Sequence, residues 1–410
     1  MKQLGGVCIT GGRLVLPGEV RHGSVRLAQG RIAAVGDVAA EPGDQIIDAR
    51  GALIAPALID LGVFAVDRGA FHFGGIARAA LMPDQSPPLD HPSSVNFTAK
   101  RGKPDLWVHP LAAATKGLAG TDLAEFALMQ EAGARGIATG RHWIADSGVM
   151  LRVLQYAAML DLPVIAHAED GFLAGRAVAT AGEIATRLGL ASAPAQAEVL
   201  AIARDLVLAE MTGARLHFRQ VTTRAGLALV RQAKARGIGV TAGVTPAHFM
   251  LSDLAVHGFR SFARLSPPLR SEDDRQAVRE AIADGTIDVI ASGHDPQAME
   301  EKRLPFAEAA PGMAGAQTLL PLVLSLVRDG LISLERAFDL MAAAPARILR
   351  VDAGVLEAGR EADVALIAPD CPWIVESSSL NGMAGNTPFD RKPVQGRCIR
   401  LFKGGVEPAS

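Results

Sequence analysis

The sequence predicts an α/β protein, a (β/α)8 barrel carrying a small composite β-sandwich domain built from both chain ends. Three observations point there. The middle of the chain repeats a unit of amphipathic helix, glycine stop and short apolar strand. Both ends read as short alternating strands. The 410 residues, 49% of them hydrophobic, suffice for one large domain plus a smaller one.

At the N-terminal end, GSVRLAQGRIAAVGD alternates Val25 and Leu27 with polar residues, turns at Gln29-Gly30 and resumes at Ile32. That is the pattern of a half-buried hairpin. PALIDLGVFAVDRG, Pro56 to Gly69, reads as the opening strand of the barrel. YAAMLDLPVIAHAED gives a helix–strand step, and AEVLAIARDLVLAEMTGARLHFRQV gives another, with Gly213 as the stop and a strand through Leu216 and Phe218. ALVRQAKARGIGVTAGVT repeats it with Gly237 and a strand from Ile238, and QAVREAIADGTIDVIASG with Gly285 and a strand at Ile287 to Ile290. Strands this uniformly apolar belong to a parallel sheet covered by helices. GREADVALIAPD and VQGRCIRLFKGG close the chain as strands. The division expected is 1–55 plus 353–410 for the composite β domain and 56–352 for the barrel.

Composition removes several function classes. The net charge of -2 gives no electrostatic footprint for nucleic acid or an anionic membrane. The 3 cysteines, Cys8, Cys371 and Cys398, stand far apart, so neither a disulfide framework nor a cysteine zinc site is expected. MKQLGGVCITGGRL lacks the apolar run of a signal peptide, and the longest apolar run, TLLPLVLSLV, is about half a membrane span. A cytoplasmic protein is expected. No phosphate loop, nucleophile elbow or H-E-x-x-H helix occurs.

Along essentially its whole length the chain resembles dihydroorotases of the amidohydrolase superfamily. GALIAPALIDLGV is similar to that family's first barrel strand, ALMPDQSPPLD to its M-P-N-T-x-P segment, and ATKGLAGTDLAEF to T-K-G-x-x-G-x-x-L. PVIAHAEDG, GVTAGVTPAHF, LSPPLRSEDDRQAV, DGTIDVIASGHDPQAMEEK, APGMAG and NTPFDRKPVQGR follow in order. The resemblance implies a TIM-like barrel that hydrolyses or closes a cyclic amide with metal ions held at the C-terminal strand ends. Residues two apart on a strand point the same way, so the family's H-x-H delivers two imidazoles to one metal. Here those positions are Gly62 and Phe64, and the arginine expected two residues on is Val66. The bridging ligand falls at Gly140, a further histidine at Gln220, and the final aspartate at Gly293, so that only His167 is kept of six positions. Among substrate contacts, Asp84, Ala247 and Ser266 replace two asparagines and a histidine, while Arg270 and the glycines of APGMAG remain.

A catalytic zinc needs three protein ligands and a water, so zinc is not expected. The resemblance then implies a non-catalytic dihydroorotase homologue in pyrimidine biosynthesis. Such metal-site-depleted chains support the assembly of aspartate carbamoyltransferase, which makes that enzyme the expected partner in a large hetero-oligomer. His167 becomes a vestigial residue, hydrogen-bonded by Glu169 or Asp170. Two alternatives stand beside it. One is a dihydroorotase or other cyclic-amide amidohydrolase with a site rebuilt around His142, His167, His294 and Asp295, with Arg141 and Trp143 next to His142 as a small-anion contact. The other is a small-ligand sensor using the vacant barrel. His72, His109 and His217 are scattered, with core or surface roles.

Overall fold

The computed structural model describes residues 5–408. Residues 1–4 and 409–410, at the two ends of the expected composite domain, lie outside the described residues. Strands from both chain ends share one mixed seven-stranded sheet. Its path runs Pro393–Phe402, Val364–Ile374, Leu53–Pro56, Val7–Leu16, Glu19–Ala28 and Arg31–Gly36, and Gln45–Asp48 pairs in parallel with Val7–Leu16. Gln29 and Gly30, at φ 52° and 76°, form the two-residue turn of the expected hairpin. That geometry matches the right-handed twist of the flanking strands.

The middle of the chain is an eight-stranded parallel barrel. Its strands are Leu58–Val63, Ile76–Leu81, Trp107–Ala113, Gly136–Ala138, Val164–Ala166, Leu216–Phe218, Val240–Val244 and Val289–Ile290. Gly213, at φ 66°, ends the helix Gln196–Thr212 as the sequence predicts. The strand expected from Ile238 begins at Val240 instead, because the Ile238 N–H donates back to Ala233 O and completes the end of the preceding helix. Ile59, Leu61, Ala80, Leu111, Ala138, Ile165 and Val289 pack together with Ile348 and Leu349. The helix carrying the last two, Ala344–Leu349, closes the N-terminal end, where Arg215 donates to Ile348 O at 3.3 Å. Leu58, Val63, Val164 and Leu216 instead join the strand–helix layer. Covered on both faces, these strands need the near-continuous apolar runs seen in the sequence.

Two sets of polar contacts hold the assembly in register. At the seam between first and last strands, the buried Asp60 carboxylate accepts from the Ser292 N–H at 2.9 Å and from the Ser292 hydroxyl. Four residues on, Phe64 N–H donates to His294 O at 2.9 Å. Burial pushes the Asp60 carboxyl above its ordinary range, and the two Ser292 donors oppose that shift. Between barrel and sheet, the buried Arg78 pairs with Asp363 at 2.6 Å and with Glu361, and Lys403 reaches Asp363 at 2.9 Å. Among the described residues no helix is long and apolar enough to cross a membrane.

Replacing Asp60 by alanine strands both Ser292 donors in a dry seam. Leaving buried donors unpaired costs about 3 kcal/mol, so Asp60→Ala should unfold at clearly lower denaturant than the parent. Equal midpoints would show that the seam is held elsewhere.

Candidate functional site

The residues that follow the strands converge at the C-terminal mouth of the barrel, where barrels of this class place their chemistry. Phe64 follows the first strand, Asp84 the second, Arg141 the fourth, His167 and Glu169 the fifth, Arg219 and Gln220 the sixth, and Gly293 and Asp295 the eighth.

Arg219 lies at the centre. It is only 6% exposed, and its chain runs across to the first strand, where a Cβ on Gly62 would stand 3.3 Å from its Cδ. Its guanidinium lies 5.2 Å from the Phe64 ring centroid and donates to His167 Nδ1 at 3.3 Å. Its Nε has no partner. Burial, reinforced by the like charge of Arg141, lowers its pKa to about 10.

His167 follows from that contact. An arginine only donates, so Nδ1 must be the acceptor and the proton sits on Nε2. That Nε2 lies 3.9 Å from Glu169 Oε2. Burial and then Arg219 push the His167 pKa well below its ordinary value, so the ring is neutral. Glu169 accepts from Arg270 at 3.2 Å, yet burial outweighs that cation and raises its carboxyl. Arg270 is itself shared with Glu198 at 3.5 Å. Nearer solvent, Arg141 forms two bonds to Asp295, at 2.6 and 2.9 Å, and its guanidinium sits 3.7 Å from the Phe64 centroid.

The expected site residues separate in space. His167 and Asp295 share the mouth, the latter through Arg141. His142 is exposed. His294 is buried on the far side of the seam, with Nε2 3.4 Å from Asp67, Nδ1 accepting from the Ala316 N–H at 3.4 Å, and its ring edge against Phe71. Trp143 turns to Asp205 at 3.3 Å, and Asp170 caps the short helix Gly171–Ala174. His109 and His217 are buried within their strands. Sequence reasoning passed over Arg219, whose signal is a cation directly after the wholly buried strand Leu216–Phe218. It took Glu169 only as a partner of His167.

The glycines at the family's ligand positions are built in. Gly293 has φ 64°, and a Cβ there would stand 2.8 Å from Thr245 Cγ2. Gly62 has φ 100° and gives Arg219 its path. At Gly140 a side chain would meet the Asp84 carboxylate at 2.9 Å, the same group that accepts from the Arg141 N–H.

A family model described as dihydro-orotase-like matches residues 50–225. A dihydroorotase of Syntrophotalea carbinolica is 39% identical over 420 residues, covering 97% of this chain and 98% of that protein. One from Pelotomaculum thermopropionicum is 39% identical over 413 residues, covering 97% of each. Among solved structures, the L-hydantoinase (dihydropyrimidinase) from Arthrobacter aurescens superposes with a TM-score of 0.88, at 24% identity over 99% of this chain and 96% of that one, a likeness of fold.

These likenesses overturn two expectations. End-to-end relatives named dihydroorotase favour the cyclic-amide amidohydrolase alternative over a non-catalytic assembly subunit. The expectation had equated emptied ligand positions with an empty mouth, and the mouth is full of other polar groups. The expectation of no cofactor falls with it, because the likeness to dihydroorotases carries the metal that the resemblance implies. The donors in this chain do not match that metal's site. Gly62, Phe64, Gly140 and Gly293 offer none, Gln220 offers an amide, and His167 already accepts from Arg219. Among the described residues no group of three or more His, Cys, Asp or Glu is placed to hold an ion.

Restoring the aspartate should therefore harm the fold. Left-handed strain and a Thr245 clash together predict that Gly293→Asp loses about 2 kcal/mol or more. Thermal melts would check it, and a variant as stable as the parent would show that the backbone there adapts.

Proposed function

Because the chain belongs to the dihydroorotase-like amidohydrolases, we propose that it acts on cyclic amides of the dihydroorotase class through a rebuilt mouth. The observation that supports this is the pair of Glu169 and His167 at the C-terminal strand ends. A largely buried carboxyl with a raised pKa faces a neutral imidazole N–H at 3.9 Å, too far for a full hydrogen bond. Two titratable groups pushed in opposite directions suit acid–base work.

In this reading Glu169 takes a proton from the water that attacks the amide carbonyl carbon. The His167 Nε2–H donates to the carbonyl oxygen as charge gathers there. The C–N bond breaks, and Glu169 returns the proton to the leaving nitrogen. The reverse sequence closes the ring. The bond from Arg219 to Nδ1 fixes the imidazole tautomer this requires. The Arg141–Asp295 pair forms the outer wall.

Ring opening and closure should be measured with dihydroorotate, its open ureido acid and a hydantoin, with and without added Zn2+. Turnover is expected, and Glu169→Gln should lower kcat by about 10²–10⁴. Glu169 must be ionised to act, so the rate should rise with pH through a carboxyl pKa raised above the usual range. An inert parent chain under every condition would overturn the reading.

We also propose, on the resemblance alone, an assembly with aspartate carbamoyltransferase. Co-expressed chains should elute together in size-exclusion chromatography with light scattering, and separate elution at micromolar concentration would remove the proposal.

A further inference from the structure

The three most deeply buried guanidiniums differ in one respect. Arg78 is neutralised by Asp363 and Glu361, and Arg270 by Glu169 and Glu198. Arg219 has neither a carboxylate within ion-pairing distance among the described residues nor a partner for its Nε. An unpaired cation in a dry site is costly, and a buried donor without a partner calls for an explanation.

Its surroundings supply one. Gln220 Oε1, Asp84 Oδ2 and Arg264 Nε also lack partners, and each belongs to a residue at or beside the mouth. Arg264 O accepts from the Gly312 N–H, next to Asp295, while Asp84 accepts from the Arg141 N–H. Two orphan donors and two orphan acceptors thus belong to residues around the mouth. Water would satisfy them singly. A ligand with oxyanion oxygens and a hydrogen of its own would satisfy them together.

We propose that Arg219 is the anion-binding centre of the barrel mouth, holding a small oxyanion, carboxylate or phosphate, whose own N–H or O–H is accepted by Gln220. Gly62 is part of the device, since any side chain there would occupy the path of the Arg219 methylenes. Arg141, a third exposed and already paired with Asp295, is the outer wall past which the anion enters. The proposal deepens the reading of the mouth as a cyclic-amide site by naming the group that anchors its ligand, and it stands or falls separately.

Inorganic phosphate and malate, each with an O–H of its own, serve as probes, one for each source of the oxyanion. Titrated into the full-length chain, at least one should give saturable binding by calorimetry and a matching rise in Tm, against a sodium chloride control at equal ionic strength. The Arg219→Met variant should bind that probe at least tenfold more weakly, and Arg219→Lys should retain part of the response. Should Arg219→Met fail to fold, the guanidinium Nε–H resonances of the parent chain give a second readout, and the one that moves on titration must disappear in Arg219→Lys. No saturable binding by the parent, or equal binding by parent and Arg219→Met, overturns the proposal. Saturable, Arg219-dependent binding without turnover of any cyclic amide supports it while removing the hydrolase reading. Turnover without anion binding does the opposite.

Discussion

The barrel depends on one buried carboxylate. Its first and last strands meet through Asp60, which holds Ser292 by both backbone and hydroxyl, and through the Phe64–His294 backbone bond beyond it. Every other pair of neighbouring strands is joined by a ladder. A sheet of this twist can close only if strand tilt and stagger agree all the way round, so the seam fixes where all eight strand ends lie. It also sets Phe64, Gly293 and Asp295 at a common height. The distances at the mouth follow from that closure.

What the mouth then holds is a redistribution of charge. Imidazole and carboxylate positions of the resembling family have become glycine, phenylalanine and glutamine, while a guanidinium has moved into the space they left. Phe64 lends it a ring face, as it does Arg141. Positive charge stays at the barrel axis, delivered by a side chain. Glu169 and His167 lie beside it, after the fifth strand. The room beside Gly62 is filled by the long Arg219 side chain reaching over from the opposite wall.

Much of the fold was legible because it repeats. Helix periods, glycine stops and apolar strands recur along the middle of the chain, and the Gln29-Gly30 turn declares its hairpin. The seam was not legible, since Asp60 and Ser292 lie 232 residues apart and nothing in the sequence pairs them. The candidate site was legible as a set of emptied positions, and its filling was not. Arg219 matters only because Gly62, far away in the sequence, leaves it room. His294 and Asp295 were grouped in one rebuilt site, but His294 packs against Asp67 and Phe71 while Asp295 pairs with Arg141. One entered the mouth and the other was buried behind it.

The seven-stranded sheet ties the two ends of the chain together, with Leu53–Pro56 lying between Val7–Leu16 and Val364–Ile374. On the ribosome the first of these strands emerge long before their last partners are made. Until Val364–Ile374 emerges, that edge of Leu53–Pro56 has nothing to pair with and is a template for stray association. The barrel sits between the two halves of its own clasp, so a nascent chain can shape its helices early but can fasten the domain only after Val364–Ile374 is made. Premature termination shortly before Val364 would leave that clasp open, and quality control would meet a nearly complete barrel with an unguarded edge.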